Sequence, residues 1–265
     1  MYSTLTLVKK YIQYYAKASN SKGHGVHSPF VYQIIREVLL NKQEHSATLA
    51  IEKKRVSLLS NKNVIEVWDR GAGSRQIDKK YRPVKKIASS SLKPKKYGQL
   101  LYRIIAYFNP TNVIEMGTSL GITTCYIAAA VNDKPVITME GAPTIAAIAR
   151  QQFEELGIKN IQIVEGDFDK TLTTVLESID KVGMAYVDGN HKYVPTIQYF
   201  HNLLGKSNED TVFIFDDIHW SAEMEKAWEQ IKEHPSVTLT IDLFYIGLVF
   251  FRKENKEKEH FIIRY

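Results

Sequence analysis

Five short stretches of this 265-residue chain place acids and glycines at spacings that can do chemistry. The first is Glu115-Met-Gly117-Thr118-Ser119-Leu-Gly121, an acid and a glycine-bearing turn that close an apolar run. The others are Glu140-Gly141, Gly166-Asp167-Phe168, Asp188-Gly-Asn-His191 and Asp216-Asp217, each at the end of another apolar run. The first stretch reads E-x-G-x-x-x-G. It is not the G-x-G-x-x-G that seats a pyrophosphate on a helix N-terminus. An acid ahead of the glycines suits a ligand with a cationic or hydroxyl-rich head and no phosphate, and Gly117 lets backbone approach it. Glu140 can accept from two ribose hydroxyls, as acids at strand ends do in nucleotide folds. Asp188, Asp216 and Asp217 would crowd three carboxylates together, and their repulsion is relieved by a hard, oxygen-seeking dication.

These stretches need elements that bring strand ends to one edge. From residue 112 the pattern supplies them. Strands are expected at Asn112–Met116, Pro135–Glu140, Ile161–Glu165, Met184–Asp188, Val212–Asp216, Val237–Leu243 and Tyr245–Arg252. Helices fill the gaps at about 122–131, 143–157, 169–178, 193–205 and 221–233. Alternation of this kind means a parallel sheet. No helix fits between the last two strands, so they must form an antiparallel hairpin. The expected fold is α/β, a seven-stranded doubly wound, mostly parallel sheet with an antiparallel last strand, preceded by an N-terminal helical cap. Ligands of such sheets lie at the carboxyl ends of the strands.

With this order and these motifs, residues 97–252 resemble the class I S-adenosylmethionine-dependent methyltransferases. The resemblance implies that Glu115, Gly117, Thr118, Ser119 and Gly121 cradle the methionine moiety. It implies that Glu140 and Gly141 serve the ribose, and that Asp167 and Phe168 meet the adenine. Asp167 also fits as a plain helix N-cap. The later acids are similar to those of catechol-type small-molecule O-methyltransferases, where an Asp after the fourth strand and an acid pair after the fifth hold magnesium. Carried over, Asp188, Asp216 and Asp217 hold Mg2+, which lowers the pKa of the acceptor hydroxyl. The catechol group has a lysine base three residues after its first metal Asp. This chain has His191 there, and D-G-x-H-x-Y is closer to a subgroup of bacterial small-molecule methyltransferases. Asp188 and His191 are thus the expected catalytic residues, with His191 as base.

The remaining sequence frames this reading. Residues 1–111 hold 21 Lys+Arg against 6 Asp+Glu, net +15, and the other 154 hold 14 against 23, net −9, which returns the overall +6. A basic half of this kind fits either nucleic acid or docking on an acidic surface or a partner subunit. The expected acceptor is a small molecule, with RNA or protein methylation and non-catalytic cofactor binding as the rival readings. The chain lacks the Asn/Asp-Pro-Pro-Tyr type of motif carried by exocyclic-amine methylases. Three helical patterns (4–18, Phe30–Leu40, Thr48–Ser60) form a cap over 1–60 and offer a homodimer surface. Residues 61–96 read as a basic, irregular lid or linker, and 97–265 as the methyltransferase domain. Leu5, Val8, Ile12 and Tyr15 make one stripe of the first helix, a packing face more often than a membrane-binding one. The His24/His27 loop lacks further ligands for zinc. The sole cysteine, Cys125, sits among apolar residues and is expected buried. With no membrane-length apolar run and no leader-like N-terminus, a cytoplasmic protein is expected.

Overall fold

The computed structural model describes residues 1–19, 23, 25–67 and 81–265. The turn-rich residues 68–74, the part of the basic segment up to residue 80, and His24 lie outside the described residues. The chain opens with α1 (Thr4–Lys17), α2 (Pro29–Ile34, continued by a π-turn over Ile35–Leu39) and α3 (Ser46–Ser60). A short pair β1 (Val64–Glu66) and β2 (Tyr81–Pro83) precedes α4 (Val84–Ser91) and α5 (Lys95–Phe108). Then come β3 (Val113–Met116), α6 (Ile122–Ala130), β4 (Val136–Glu140), α7 (Pro143–Glu155), β5 (Ile161–Glu165) and α8 (Phe168–Glu177). They are followed by β6 (Met184–Val187), α9 (Tyr193–Leu204), β7 (Val212–Asp216) and α10 (Ala222–Glu233). The chain closes with β8 (Leu239–Asp242), β9 (Ile246–Phe250) and β10 (Glu259–Ile262).

The residues divide into two compact units, Lys42–Ser178 and Met1–Asn41 with Ile179–Tyr265. In Lys42–Ser178 the strand order is β3-β4-β5, all parallel. β3 is buried along its whole length, and β4 at all but its last residue, as a central parallel strand requires. The helices behind them start and stop on readable signals. Pro143 opens α7 at its first position, and α5 ends at Asn109, left-handed at φ 47°, ahead of Pro110. α6 is apolar on every side and almost wholly buried, Cys125 included.

In the other unit the order is β10-β8-β9-β7-β6. β6 and β7 run parallel, while β9 is antiparallel to both β7 and β8 and lies between them. The hairpin expected at the end of the chain is therefore β8–β9. Among the described residues the strands from β3 onward number eight instead of seven, because β10 adds to β8 in parallel register, Glu259 opposite Leu239. The antiparallel strand is β9, and the chain's last strand is parallel. β10 is four residues after a Lys/Glu-rich run, too short and too polar in its approach to announce itself by periodicity. Residues 61–96, read as irregular, contain the β1–β2 pair and α4. The mostly parallel α/β class is as expected. No helix among the described residues is long and apolar enough to cross a membrane.

Candidate active site

In Lys42–Ser178 the loop after β3 is drawn against β4. The amides of Gly117 and Thr118 both donate to the Met139 carbonyl, at 3.1 and 3.0 Å. Gly117 (φ 108°), Ser119 (φ 48°) and Gly121 (φ 82°) all take positive φ, so the loop doubles back before α6. At Gly121 a Cβ would lie 2.7 Å from Phe153 Cε1 and 3.0 Å from Ala149 Cβ. That glycine is required by packing on α7 as much as by any ligand. Glu115 lies beneath the loop, fully buried, with its Oε2 accepting from Thr124 Oγ1 (2.5 Å) and Thr138 Oγ1 (2.6 Å). Thr118, also buried, shares a 2.6 Å hydroxyl contact with Thr138. These bonds make Glu115 an anchor of the loop.

Glu140, at the end of β4, is half-buried and spans two loops. Its Oε2 accepts from the Ser119 amide at 2.8 Å and its Oε1 from the Ala142 amide at 2.9 Å. Each carboxylate oxygen can accept more than one bond. Gly166 N donates to the Glu140 carbonyl at 3.0 Å, and a Cβ on Gly141 would come within 3.8 Å of the Gly166 carbonyl. The loops after β4 and β5 thus close on each other through small residues. Exposed Asp167 caps α8, accepting from Asp169 N at 3.2 Å, and half-buried Phe168 is the first helical residue. Sequence reading missed Ser91, at the last turn of α4, whose hydroxyl receives the Ser119 hydroxyl at 2.9 Å. Its only signal was the polar run Ser89-Ser90-Ser91 ahead of the Glu115–Gly121 stretch.

The second set of residues lies in the other unit. Asp188, His191 and Asp216 present ligand atoms that all lie within 4.8 Å of one another. Asp216 is fully buried, while Asp188 and His191 are partly open to solvent. Tyr186 donates to Asp188 Oδ2 at 3.1 Å, and His191 Nε2 stands 3.4 Å from Asp188 Oδ1. Asn190 (φ 61°) and His191 (φ 35°) are both left-handed, and the Asn190 side-chain amide bonds the Tyr199 hydroxyl. Two consecutive non-glycine residues in that region are uncommon, and they turn the imidazole back toward Asp188. Asp217 does not join this group. It is left-handed at φ 55°, with its amide donating to the Tyr245 carbonyl at 2.6 Å. Ser221 caps α10, accepting from Met224 N.

Nearby in the same unit, His219 bridges two carboxylates, Glu225 Oε1 at 3.1 Å and Asp242 Oδ2 at 2.7 Å, and stacks on Phe244. Burial opposes its charged form, but hydrogen bonds and Coulomb attraction from Asp242 and Glu225 outweigh it, and its pKa is raised. Burial and the Glu115 charge push the Cys125 thiol up, so it is unreactive.

Comparison with known proteins gives this geometry a context. A methyltransferase domain family matches residues 114–218. Catechol O-methyltransferase B of Danio rerio is 29% identical over 126 residues, 46% of this chain and 47% of that protein. The match thus spans about half the length of this curated relative. Among solved structures, an SAH-bound methyltransferase of Podospora anserina superposes with a TM-score of 0.59 at 12% identity, over 96% of this chain and 98% of its own. An O-methyltransferase of Bacillus cereus in complex with SAH gives 0.56 at 17% identity, over 83% and 97%. The O-methyltransferase TomG of Streptomyces achromogenes, involved in tomaymycin synthesis and solved with SAM, gives 0.55 at 17%, over 84% and 96%. At these identities the superpositions establish a shared fold.

Proposed function

We propose that this chain, which carries a methyltransferase domain of the class I fold, moves the methyl group of S-adenosylmethionine to a hydroxyl oxygen of a small molecule. The reaction is a displacement at the sulfonium: the acceptor hydroxyl gives its proton to solvent, the oxyanion attacks, the S–CH3 bond breaks as the O–CH3 bond forms, and the cofactor leaves as a neutral thioether. Charge is annihilated, so alignment and exclusion of water supply most of the rate. In this reading the loop Gly117–Gly121 takes the methionine end, held in shape from beneath by Glu115. Glu140 takes the ribose hydroxyls, and its two amide contacts preset its carboxylate for them. Gly141 and Gly166 leave the space, and Asp167 and Phe168 face the adenine.

The observation that carries the choice of oxygen as acceptor is the group Asp188, His191 and Asp216. Its donor atoms and spacing fit a divalent cation, and the resemblance to a catechol O-methyltransferase points the same way. When bound, such a cation supplies Lewis acidity that lowers the pKa of a coordinated hydroxyl. Tyr186 fixes one oxygen of Asp188 and so orients the other. The acceptor proposed is a vicinal diol or a hydroxyl beside a carbonyl, which can chelate. We also propose that the chain works as a homodimer paired through its N-terminal helices, because α1 leaves an apolar stripe exposed.

The test pairs binding with turnover. Calorimetry should show S-adenosylhomocysteine binding, and labelled S-adenosylmethionine should methylate members of a catechol panel. Chelation by EDTA and Asp216→Asn should each abolish that turnover while leaving the binding of S-adenosylhomocysteine intact. Turnover on RNA alone, or none on any hydroxylated acceptor despite cofactor binding, overturns the small-molecule reading.

A further inference from the structure

His191 was expected to be the free base of the reaction, and its placement argues for another role. We propose that His191 is a metal ligand, giving Asp188, His191 and Asp216 an O,O,N donor set that selects a transition-metal dication such as Mn2+ over Mg2+. This rests on the metal-assisted reading above and deepens it.

Distances support it first. Donors at roughly 2.1 Å from one ion stand about 3 Å apart when adjacent and about 4.2 Å apart when opposed. The three donors here all lie within 4.8 Å of one another. Closing on an ion therefore shortens any pair by at most about 2 Å, within the reach of side-chain rotation. The 3.4 Å between His191 Nε2 and Asp188 Oδ1 is long for a hydrogen bond and close to the separation of adjacent ligands. The Nε2 atom of this imidazole faces the Asp188 carboxylate, the placement of a co-ligand on a shared ion.

The backbone gives the second argument. Asn190 and His191 occupy left-handed conformations, and the Asn190 bond to Tyr199 on α9 holds the turn. The ring is thus carried by a turn tied to a helix, on the side of Asp188. Asp217, the third carboxylate expected from the sequence, is not one of the three side chains whose donor atoms come within 4.8 Å of one another.

Donor chemistry then sets selectivity. Mg2+ prefers oxygen ligands and keeps its waters, whereas an imidazole nitrogen raises affinity along the series from Mn2+ toward Zn2+. Replacing one carboxylate of an all-oxygen site by His191 lowers the formal negative charge by one and adds a nitrogen, and both changes disfavour Mg2+.

The experiment uses the full chain saturated with S-adenosylhomocysteine and loaded with MnCl2, read by electron spin-echo envelope modulation for 14N coupled to Mn2+. The wild type should show the nitrogen modulation. His191→Asp should still bind Mn2+ but lose the modulation, and its preference for Mn2+ over Mg2+ in competition titrations should fall roughly tenfold. His191→Asn, a residue at ease in left-handed turns, controls for distortion of the loop and should lose the modulation too. Mn2+ bound with no 14N coupling, or coupling that survives both variants, overturns the assignment while leaving metal-assisted methylation standing. Absence of any Mn2+ or Mg2+ uptake overturns the assignment and the metal part of the reading together. Failure to bind S-adenosylhomocysteine, measured on the same samples, would instead sink the methyltransferase reading itself.

Discussion

At the scale of single residues, Glu140 concentrates the proposed binding. It accepts two backbone amides, from the loops on either side of it, and such charge-assisted bonds contribute about 1.5–3 kcal/mol each. Glu140→Gln replaces one acceptor by an amide N–H that faces a donor. Calorimetry should find S-adenosylhomocysteine weakened by roughly tenfold to a hundredfold, with circular dichroism unchanged. An affinity within error of wild type would remove Glu140 from the cofactor site. Gly121→Ala tests packing instead. The new Cβ would stand 2.7 Å from Phe153 at φ 82°, so a loss of roughly 2–4 kcal/mol is expected, seen as a drop of several degrees in Tm. The acids and glycines were readable because each ends an apolar run, where a strand meets its loop. What His191 faces was not readable, since it depends on two left-handed residues, Asn190 and His191, neither of them glycine. Ser91 escaped for a similar reason: its contact with Ser119 joins positions 28 residues apart.

Among elements, α1 shows how an amphipathic segment is fixed by polar contacts at its edges. Tyr14 and Ala18 pack with Phe244, and the Tyr14 hydroxyl bonds the Ile263 carbonyl. Lys10 and the Tyr2 hydroxyl both reach Glu225 Oε2 at 2.8 Å, and Glu225 in turn holds His219. The charged groups facing His219 are Glu225 and Asp242, with Lys10 one step behind. The pKa of His219 is raised in the fold, so the folded state binds its proton more tightly than the unfolded chain. The stabilisation from this network is therefore full below the ordinary histidine pKa of about 6.5 and is lost as pH rises through the raised value. The Tm difference between wild type and His219→Gln should be larger at about pH 6 than at about pH 9. A difference independent of pH, or one that grows with pH, would show that the imidazole is not charged there. The strands from β3 to β9 were legible from sequence because buried parallel strands are apolar runs bounded by acids and glycines. β10 and α4 were not. Each sits in or beside a lysine-rich stretch and owes its conformation to a partner: β8 for β10, and α3 for α4.

For the molecule as a whole, the unresolved balance is between charge and apolar surface at the N-terminus. Met1, Leu5, Val8, Ile12 and Tyr15 follow each other at alternating spacings of four and three, and Leu5 is 84% exposed. That spacing is the seam of a helix pair, on the opposite side of α1 from Tyr14 and Ala18. Burying Leu5, Val8 and Ile12 on two copies, at roughly 1.5–3 kcal/mol per side chain, gives on the order of 10 kcal/mol before the cost of association. After an association cost of at least about 4 kcal/mol, a weak dimer with a Kd of tens of micromolar or more follows. Sedimentation should thus show a species of twice 30.4 kDa that Leu5→Glu combined with Ile12→Glu returns to monomer. Ionic strength separates this from the rival uses of a basic surface. α1 carries Lys9, Lys10 and Lys17 and no acid, so pairing it with a copy of itself brings like charges together, and salt should strengthen the dimer. Binding to RNA or to anionic vesicles through the same lysines would weaken as counterions compete. A self-association that rises with salt and vanishes in the double variant assigns the stripe to a second copy of the chain. An association that falls with salt assigns this end of the molecule to an acidic partner, and the +15 of the first 111 residues would then be its binding signal.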